Sequence, residues 1–141
     1  MSIIVLVTGG FDPLHSGHIH YLQAARDLGD RLIVGINSDD WLVRKKGKAF
    51  LPARERRVIM ENLRMVDEVI EFVDLDNTAI QAILDVKQQY PHDVLVFANG
   101  GDRTEKNIPE MCVPGVVFEF GVGGDDKKNS SSWILNNWQA A

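Results

Sequence analysis

Five short apolar runs, separated by segments of helical periodicity, constrain this chain more than any other feature. They cover residues 3–8, 31–37, 67–73, 93–98 and 115–120. Between and after them the spacing predicts helices over 17–28, 53–64, 78–89 and 131–138, with a shorter one near 38–44. In the first of these, Ile19, Leu22, Ala25 and Leu28 share one face, the stripe a core-facing helix needs. Strands that alternate with helices imply βαβ units, and so a parallel sheet with helices on both faces. Leu32-Ile33-Val34 and Val94-Leu95-Val96-Phe97 are continuously apolar, as central strands buried on both sides are. The predicted fold is therefore α/β, a Rossmann-like three-layer α/β/α arrangement around a five-stranded parallel sheet. At 141 residues the chain can build one proper core, and a single domain over 1–141 is expected.

The first strand runs directly into Thr8-Gly9-Gly10-Phe11-Asp12-Pro13-Leu14-His15-Ser16-Gly17-His18. Two histidines three residues apart, around a glycine, thus sit at a strand-to-helix junction. A helix N-terminus carries unpaired N–H groups and partial positive charge, so it attracts phosphate. Imidazoles aimed at the same place add donors, and Gly17 lets a ligand approach the backbone. In an open α/β sheet ligands lie beyond the carboxyl ends of the strands. The irregular segments 99–114 and 121–130 follow predicted strands and should reach the same edge.

Composition narrows the function classes. A net charge of −5 argues against a nonspecific nucleic-acid binder, which wants a basic face. The lone Cys112 excludes an intramolecular disulfide framework and suits a reducing compartment. No apolar stretch is long enough for a membrane span, and the N-terminus lacks a signal-peptide pattern. A cytoplasmic protein without membrane or nucleic-acid partners is expected. His15, His18 and Asp12 make an incomplete zinc set, and Cys112 is isolated, so no protein-held metal is expected. Mg²⁺ arriving with a nucleoside triphosphate fits better. No Gly-Lys-Ser/Thr phosphate loop is present, which removes support for ordinary kinase or ATPase chemistry.

Further clusters suit an anionic ligand. Arg44-Lys45-Lys46-Gly47-Lys48 reads either as a solvated surface run or as a mobile basic lid over a polyphosphate. Arg54-Glu55-Arg56-Arg57, with Arg64 seven residues beyond Arg57, offers forked phosphate contacts or simply solvates a helix. Asn99-Gly100-Gly101-Asp102-Arg103 is a turn that permits close backbone approach. Asn129-Ser130-Ser131-Ser132 before Trp133-Ile134-Leu135 is an N-cap sequence, and a second helix terminus able to cradle phosphate. Trp41, Trp133 and Trp138 read as core, acceptor pocket or interface, with core the default, and His20 and His92 as surface.

Gly10-Phe11-Asp12-Pro13-Leu14-His15-Ser16-Gly17-His18 resembles the HxGH motif of the nucleotidyltransferase superfamily. Further features occur in an order similar to the cytidylyltransferase-like branch, which includes glycerol-3-phosphate cytidylyltransferases and heptose 1-phosphate adenylyltransferase domains. They are Gly35-Ile36-Asn37-Ser38-Asp39, Lys45-Lys46-Gly47-Lys48, Glu55-Arg56-Arg57, Leu63 to Val69, Gly100-Gly101-Asp102 and Ser130-Ser131-Ser132-Trp133-Ile134. The resemblance spans nearly the whole chain. Class I aminoacyl-tRNA synthetases share the HxGH, but this chain is too short for one and has no KMSKS-like loop.

The resemblance implies transfer of a nucleoside monophosphate from CTP or ATP to a phosphorylated sugar or polyol, with release of pyrophosphate. It gives His15, His18 and Lys46 catalytic roles. It implies nucleotide contacts from Gly9, Gly10, Phe11, Asp12, Gly17, Gly100, Gly101, Asp102, Ser130, Ser131 and Ser132. Lys45, Arg56 and Arg64 would meet the acceptor, and the enzyme would be a homodimer. Where the cytidylyltransferases carry Arg-Thr-Glu-Gly-Ile, this chain has Asp125-Asp126-Lys127-Lys128-Asn129, which leaves CTP and ATP both open. A non-catalytic nucleotide-binding or regulatory module on the same fold is the alternative. Degenerate relatives of that kind usually lose a motif histidine or the basic segment, and this chain keeps both.

Overall fold

A computed structural model of the chain describes residues 1–101, 108–124 and 131–140. Five strands, β1 (Ile3–Gly9), β2 (Arg31–Ile36), β3 (Glu68–Glu71), β4 (Val94–Ala98) and β5 (Val117–Glu119), form one sheet in the order β3-β2-β1-β4-β5. Every neighbouring pair is parallel. The helices are α1 (Ser16–Arg26), α2 (Asp39–Lys46), α3 (Ala53–Glu61), α4 (Ile80–Gln89) and α5 (Ser131–Ala140). The five-stranded Rossmann-like architecture expected from the apolar runs is thus present. A short 3-10 helix, Pro109–Cys112, falls in a segment that carried no helical pattern.

Alternate side chains of each strand feed two cores, as the period of two demands. Ile4 and Leu6 of β1, Ile33 of β2, and Leu95 and Phe97 of β4 pack with Ala82, Ile83 and Val86 of α4. Val5, Val7, Leu32, Val34, Ile36 and Val96 face the other way, onto Leu22 and Ala25 of α1 and Met60 of α3. Helices therefore cover both faces, which is why β1 and β2 read as apolar throughout. Burial of such side chains contributes roughly 1.5–3 kcal/mol each.

The strand order reverses between β1 and β4, with α1 on one face and α4 on the other. Such a switch point opens a crevice at the carboxyl ends of the strands. The hydroxyl of Tyr21 on α1 donates to the carbonyl of Ala98 at the end of β4, 2.8 Å away, and ties the two sides together. Gly100 packs so closely that a Cβ would stand 3.0 Å from the Tyr21 ring. The close approach expected of this glycine is met by α1 itself.

Two sequence expectations need correction. Trp133 and Trp138 are 52% and 71% exposed, so the core default fails for both. The C-terminal helix presents them outward, although Trp138 lies edge-on to Phe50. Arg44, Lys45 and Lys46 are not a mobile lid but the last turn of α2, which ends at Gly47 with a φ of 93°. Cations in a last turn oppose the negative end of the helix dipole, and glycine takes the left-handed cap without a Cβ penalty.

Candidate active site

A cavity of about 490 Å³ opens at the carboxyl end of β1. Thr8, Gly9, Gly10 and Phe11 line it from β1 and the turn after it, and His18 and Tyr21 from α1. Asn37, Trp41 and Lys45 contribute from β2 and α2, and Asn77, Thr78, Ala79 and Glu110 close the far side. Gly10 is at close quarters here, since a Cβ would come within 2.9 Å of the Leu42 side chain and 3.3 Å of Trp41. Glycine at this position lets α2 seat against the turn.

The histidine pair forms a reciprocal cap on α1. His15 is the N-cap residue, and its Nδ1 accepts the Gly17 N–H at 3.0 Å. Nδ1 of His18 accepts the N–H of His15 at 3.2 Å. The two rings stack, 3.8 Å between centroids, and Phe11 meets His18 edge-on at 5.0 Å. Because each Nδ1 accepts from the backbone, each neutral ring carries its proton on Nε2. The capping geometry thus determines the tautomer, and it makes Nε2–H the donor of both rings. Burial, aided by the neighbouring His15, pushes the His18 pKa down to about 4. His18 is therefore neutral at pH 7 and acts as a hydrogen-bond donor rather than as a fixed cation.

Lys45 and Lys46 diverge. Adjacent residues on a helix point about 100° apart. Lys45 lines the cavity, with its ammonium 4.6 Å from the Trp41 ring centroid. Lys46 turns to Asp12: its ammonium donates to the Asp12 carbonyl and lies 3.5 Å from Oδ2 of the same residue. The buried Asp12 carboxylate also accepts the N–H groups of Phe50 and Leu51, at 2.6 and 2.7 Å. Asp12 thus pins the segment after α2, and Lys46 with it, beside the histidine turn.

Arg56 and Arg64 are not brought to the cavity wall. Arg56 is 2% exposed. Its Nη1 donates to the carbonyls of Gly10 and Asn37 at 3.0 and 2.7 Å. Its Nε donates to Leu51 O at 3.0 Å, and its Nη2 to Asp39 Oδ1 at 2.7 Å. The guanidinium braces three segments beneath the site. Arg64 lies past the end of α3, exposed in the turn that leads into β3. A crossover helix returns the chain to the amino edge of the sheet, so within one chain Arg64 is at the edge opposite the cavity.

A second buried acid anchors the far wall. Asp74 accepts from Asn37 Nδ2, Ser38 N and Ser38 Oγ at 3.1, 2.8 and 2.7 Å. Burial pushes its carboxyl up, but these hydrogen bonds, together with the Arg44 charge, outweigh that and hold it below its ordinary value. Arg44 also donates to Asp74 O and Asn77 Oδ1. The end of β2 and the start of α2 are so joined to the loop that supplies Asn77 and Thr78.

Ser131 begins α5 and donates through Oγ to the carbonyl of Pro13, at 2.8 Å. The second helix terminus therefore meets the histidine turn. Ser132 is exposed, as are His20 and His92. Gly101 lies in the turn after β4 with a φ of 60°. Asp102 and Ser130 fall outside the described residues. Tyr21, Thr78 and Glu110 line the cavity without having been singled out from sequence. Each sits in a segment that reads as ordinary helix or loop, and only packing brings them together. Among the described residues no group of three His, Cys, Asp or Glu side chains could hold a metal ion, and no helix is long and apolar enough to cross a membrane.

Comparison with known proteins agrees with this geometry. The family model described as cytidylyltransferase-like matches residues 6–113. The chain is 42% identical over 123 residues to the bifunctional protein HldE of Helicobacter hepaticus, which covers 84% of this chain and 24% of that protein. It is 40% identical over 121 residues to the bifunctional protein HldE of Pectobacterium carotovorum, covering 77% and 25% respectively. The chain thus spans about a quarter of the length of these curated relatives. Among solved structures, a lipopolysaccharide core biosynthesis protein from Thermoplasma volcanium superposes with a TM-score of 0.68 at 24% identity, over 92% of this chain and 100% of that one. A bifunctional NMN adenylyltransferase/ADP ribose pyrophosphatase from Francisella tularensis, complexed with AMP and a manganese ion, reaches 0.70 at 14% identity, over 100% of this chain and 42% of that one. These two likenesses establish the shared fold. With its α/β topology and its paired histidines at the first helix terminus, the chain belongs to the cytidylyltransferase-like family of nucleotidyltransferases.

Proposed function

We propose that this chain transfers a nucleoside monophosphate from CTP or ATP to a phosphorylated sugar or polyol and releases pyrophosphate. The observation that carries this reading is the reciprocal cap that makes Nε2–H the donor of His15 and His18. Both rings belong to the first turn of a helix whose positive end meets a cavity that also holds Lys45. An acceptor phosphate monoester has a second pKa near ~6 and is mostly dianionic at pH 7, so attack on the α-phosphate needs no general base. The protein has only to align the reactants and to place donors where charge builds up on the α-phosphate and the departing pyrophosphate.

The two imidazoles and the N-terminus of α1 do this for the triphosphate, with Ser131 and Ser132 at the second helix terminus. Lys45 holds the acceptor phosphate. Lys46, pinned by Asp12, adds positive charge beside the histidine turn. Mg²⁺ enters with the triphosphate, held chiefly by phosphates and water, and offsets phosphate charge. The family resemblance supports a homodimer.

Pyrophosphate release, measured with each of ATP, CTP, GTP and UTP against a panel of sugar and polyol phosphates, tests the reading. Turnover with one base and a phosphate-bearing acceptor is expected. Nucleotide binding without pyrophosphate release from any pair would instead support a non-catalytic module.

A further inference from the structure

Asn37 and Asn77 line the cavity, and the proposed mechanism gives neither a task. Asn37 follows β2 directly and is 7% exposed. Its N–H donates to Gly9 O at 2.9 Å, and its carbonyl accepts from Arg56 Nη1 at 2.7 Å. Its Nδ2 donates to Asp74 Oδ2 at 3.1 Å. Among the described residues its Oδ1 has no hydrogen bond. Arg31 Nε is the one side-chain atom among them that is both covered and unpaired. Oδ1 is therefore not sealed inside the protein, and it opens on the cavity that Asn37 lines. A deeply covered side chain, held in place through its backbone and its NH₂ group, thus leaves one polar atom for a ligand.

Asn77, exposed in the loop before α4, is fixed in the opposite sense. Arg44 Nε donates to its Oδ1 at 3.0 Å. A guanidinium only donates, so the oxygen of this amide faces Arg44 and its NH₂ group is left over. The Asp74 carboxylate, held below its ordinary pKa, only accepts at pH 7. It therefore takes the NH₂ of Asn37 and leaves the oxygen. Arg44 and Asp74 are themselves joined, since Arg44 Nη2 donates to Asp74 O at 2.8 Å and lies 3.8 Å from Oδ1. One ion pair outside the cavity lining thus sets two amides of the lining in opposite senses. Resting on the proposed function, we propose that Asn37 and Asn77 are specificity-determining residues, an oxygen and an NH₂ group that together read the hydroxyl groups of the acceptor substrate. A hydroxyl both donates and accepts, so it satisfies either amide. A keto or ether oxygen only accepts and leaves Asn37 unpaired, whereas an ammonium group only donates and leaves Asn77 unpaired. A site built to hydrogen-bond a hydroxyl discriminates strongly against analogues that lack it.

The test measures kcat/KM, and Kd by titration calorimetry, for two matched pairs of phosphate monoesters. They are glycerol 3-phosphate against n-propyl phosphate, and aldohexose 1-phosphates against cyclohexyl phosphate. The wild-type chain is expected to prefer the hydroxylated member of at least one pair by about 100-fold or more. Asn77→Asp keeps an oxygen for Arg44 and replaces the NH₂ donor with a second oxygen. Asp tolerates the left-handed φ of 64° at this exposed position, so this variant tests the proposal even where Asn37→Leu does not fold. Asn37→Leu removes the cavity oxygen at similar volume. Each variant is expected to shrink the preference about tenfold, through the KM of the hydroxylated substrate, with the KM of the nucleoside triphosphate unchanged. Both members of a pair carry the same charge, so the charge that Asn77→Asp adds cancels in the ratio. An unchanged preference in Asn77→Asp or in a folded Asn37→Leu overturns the proposal, as does equal use of both members of each pair by the wild type. Binding with the expected preference but without turnover removes the proposed function and leaves this inference standing. Neither binding nor turnover of any hydroxylated phosphate overturns both.

Discussion

The two ends of the cavity are built in opposite ways. The histidine end comes from four consecutive residues, His15 to His18, closed by two hydrogen bonds spanning two and three positions. The far end is assembled from α2, the loop before α4 and the 3-10 helix, through contacts such as Ser38 to Asp74 and Ala79 to Glu110, 36 and 31 residues apart. Beneath them Arg56 joins the carbonyls of Gly10, Asn37 and Leu51. A locally closed constellation survives small shifts of the surrounding fold, whereas a wall made of distant segments takes its shape from the whole core. The first suits chemistry shared across a family, and the second suits recognition that varies within it.

If this contrast holds, substitutions at the two ends divide between rate, affinity and stability. The largest effect is expected at the histidine end. His18→Ala removes a transition-state donor and should lower kcat by roughly 10²–10³, while loss of one capping bond costs about 1 kcal/mol of stability. Near-normal turnover by the folded variant would break the assignment. Next comes Arg56→Met, which strips donors from three carbonyls. A loss of about 3 kcal/mol is expected, read as a melting temperature roughly 10 °C lower. An unchanged melting temperature would show that the two ends are not braced together.

Lys45→Met should raise the acceptor KM about tenfold with the KM of the nucleoside triphosphate unchanged. An effect on kcat alone would give Lys45 the role assigned to the histidines instead. The last effect is on pH. His18 has a folded pKa of about 4 against an ordinary 6.5, so between these values the unfolded chain binds the extra proton. Stability should therefore fall on acidification from pH 6.5 toward 4, by at most about 1.4 kcal/mol per unit. Asp74, held below its ordinary value, adds a loss in the same direction only at still lower pH. Chemical denaturation of the wild type and of His18→Ala across this range checks the point, since the variant should lack the upper part of the slope.

The fold was largely legible. Val5, Leu6, Leu32 and Ile33 sit in runs whose length and flanking turns left few options, and all became central strands. The histidine pair was legible because its hydrogen bonds close within one helical turn. The basic run was visible, but its form as the last turn of α2 depended on Ser38 receiving the Trp41 N–H and on Gly47 ending the helix. Charge density does not encode which way Lys45 and Lys46 point. Arg56 reads from sequence as an acceptor contact or a solvated helix residue, because nothing local reveals that three distant carbonyls converge on it. Trp133 and Trp138 misled because apolar character predicts burial only when a core is within reach.

By itself the sequence determined the alternation of elements, the phosphate-attracting helix start and the residue types available to it. Those follow from short-range spacing and backbone chemistry. Only the tertiary structure decided that Lys45 faces the cavity while Lys46 faces Asp12, that Arg64 lies at the opposite edge, and that Glu110 reaches the start of α4. These are contacts between segments far apart in the chain, and their geometry is settled by how the two cores pack against one sheet.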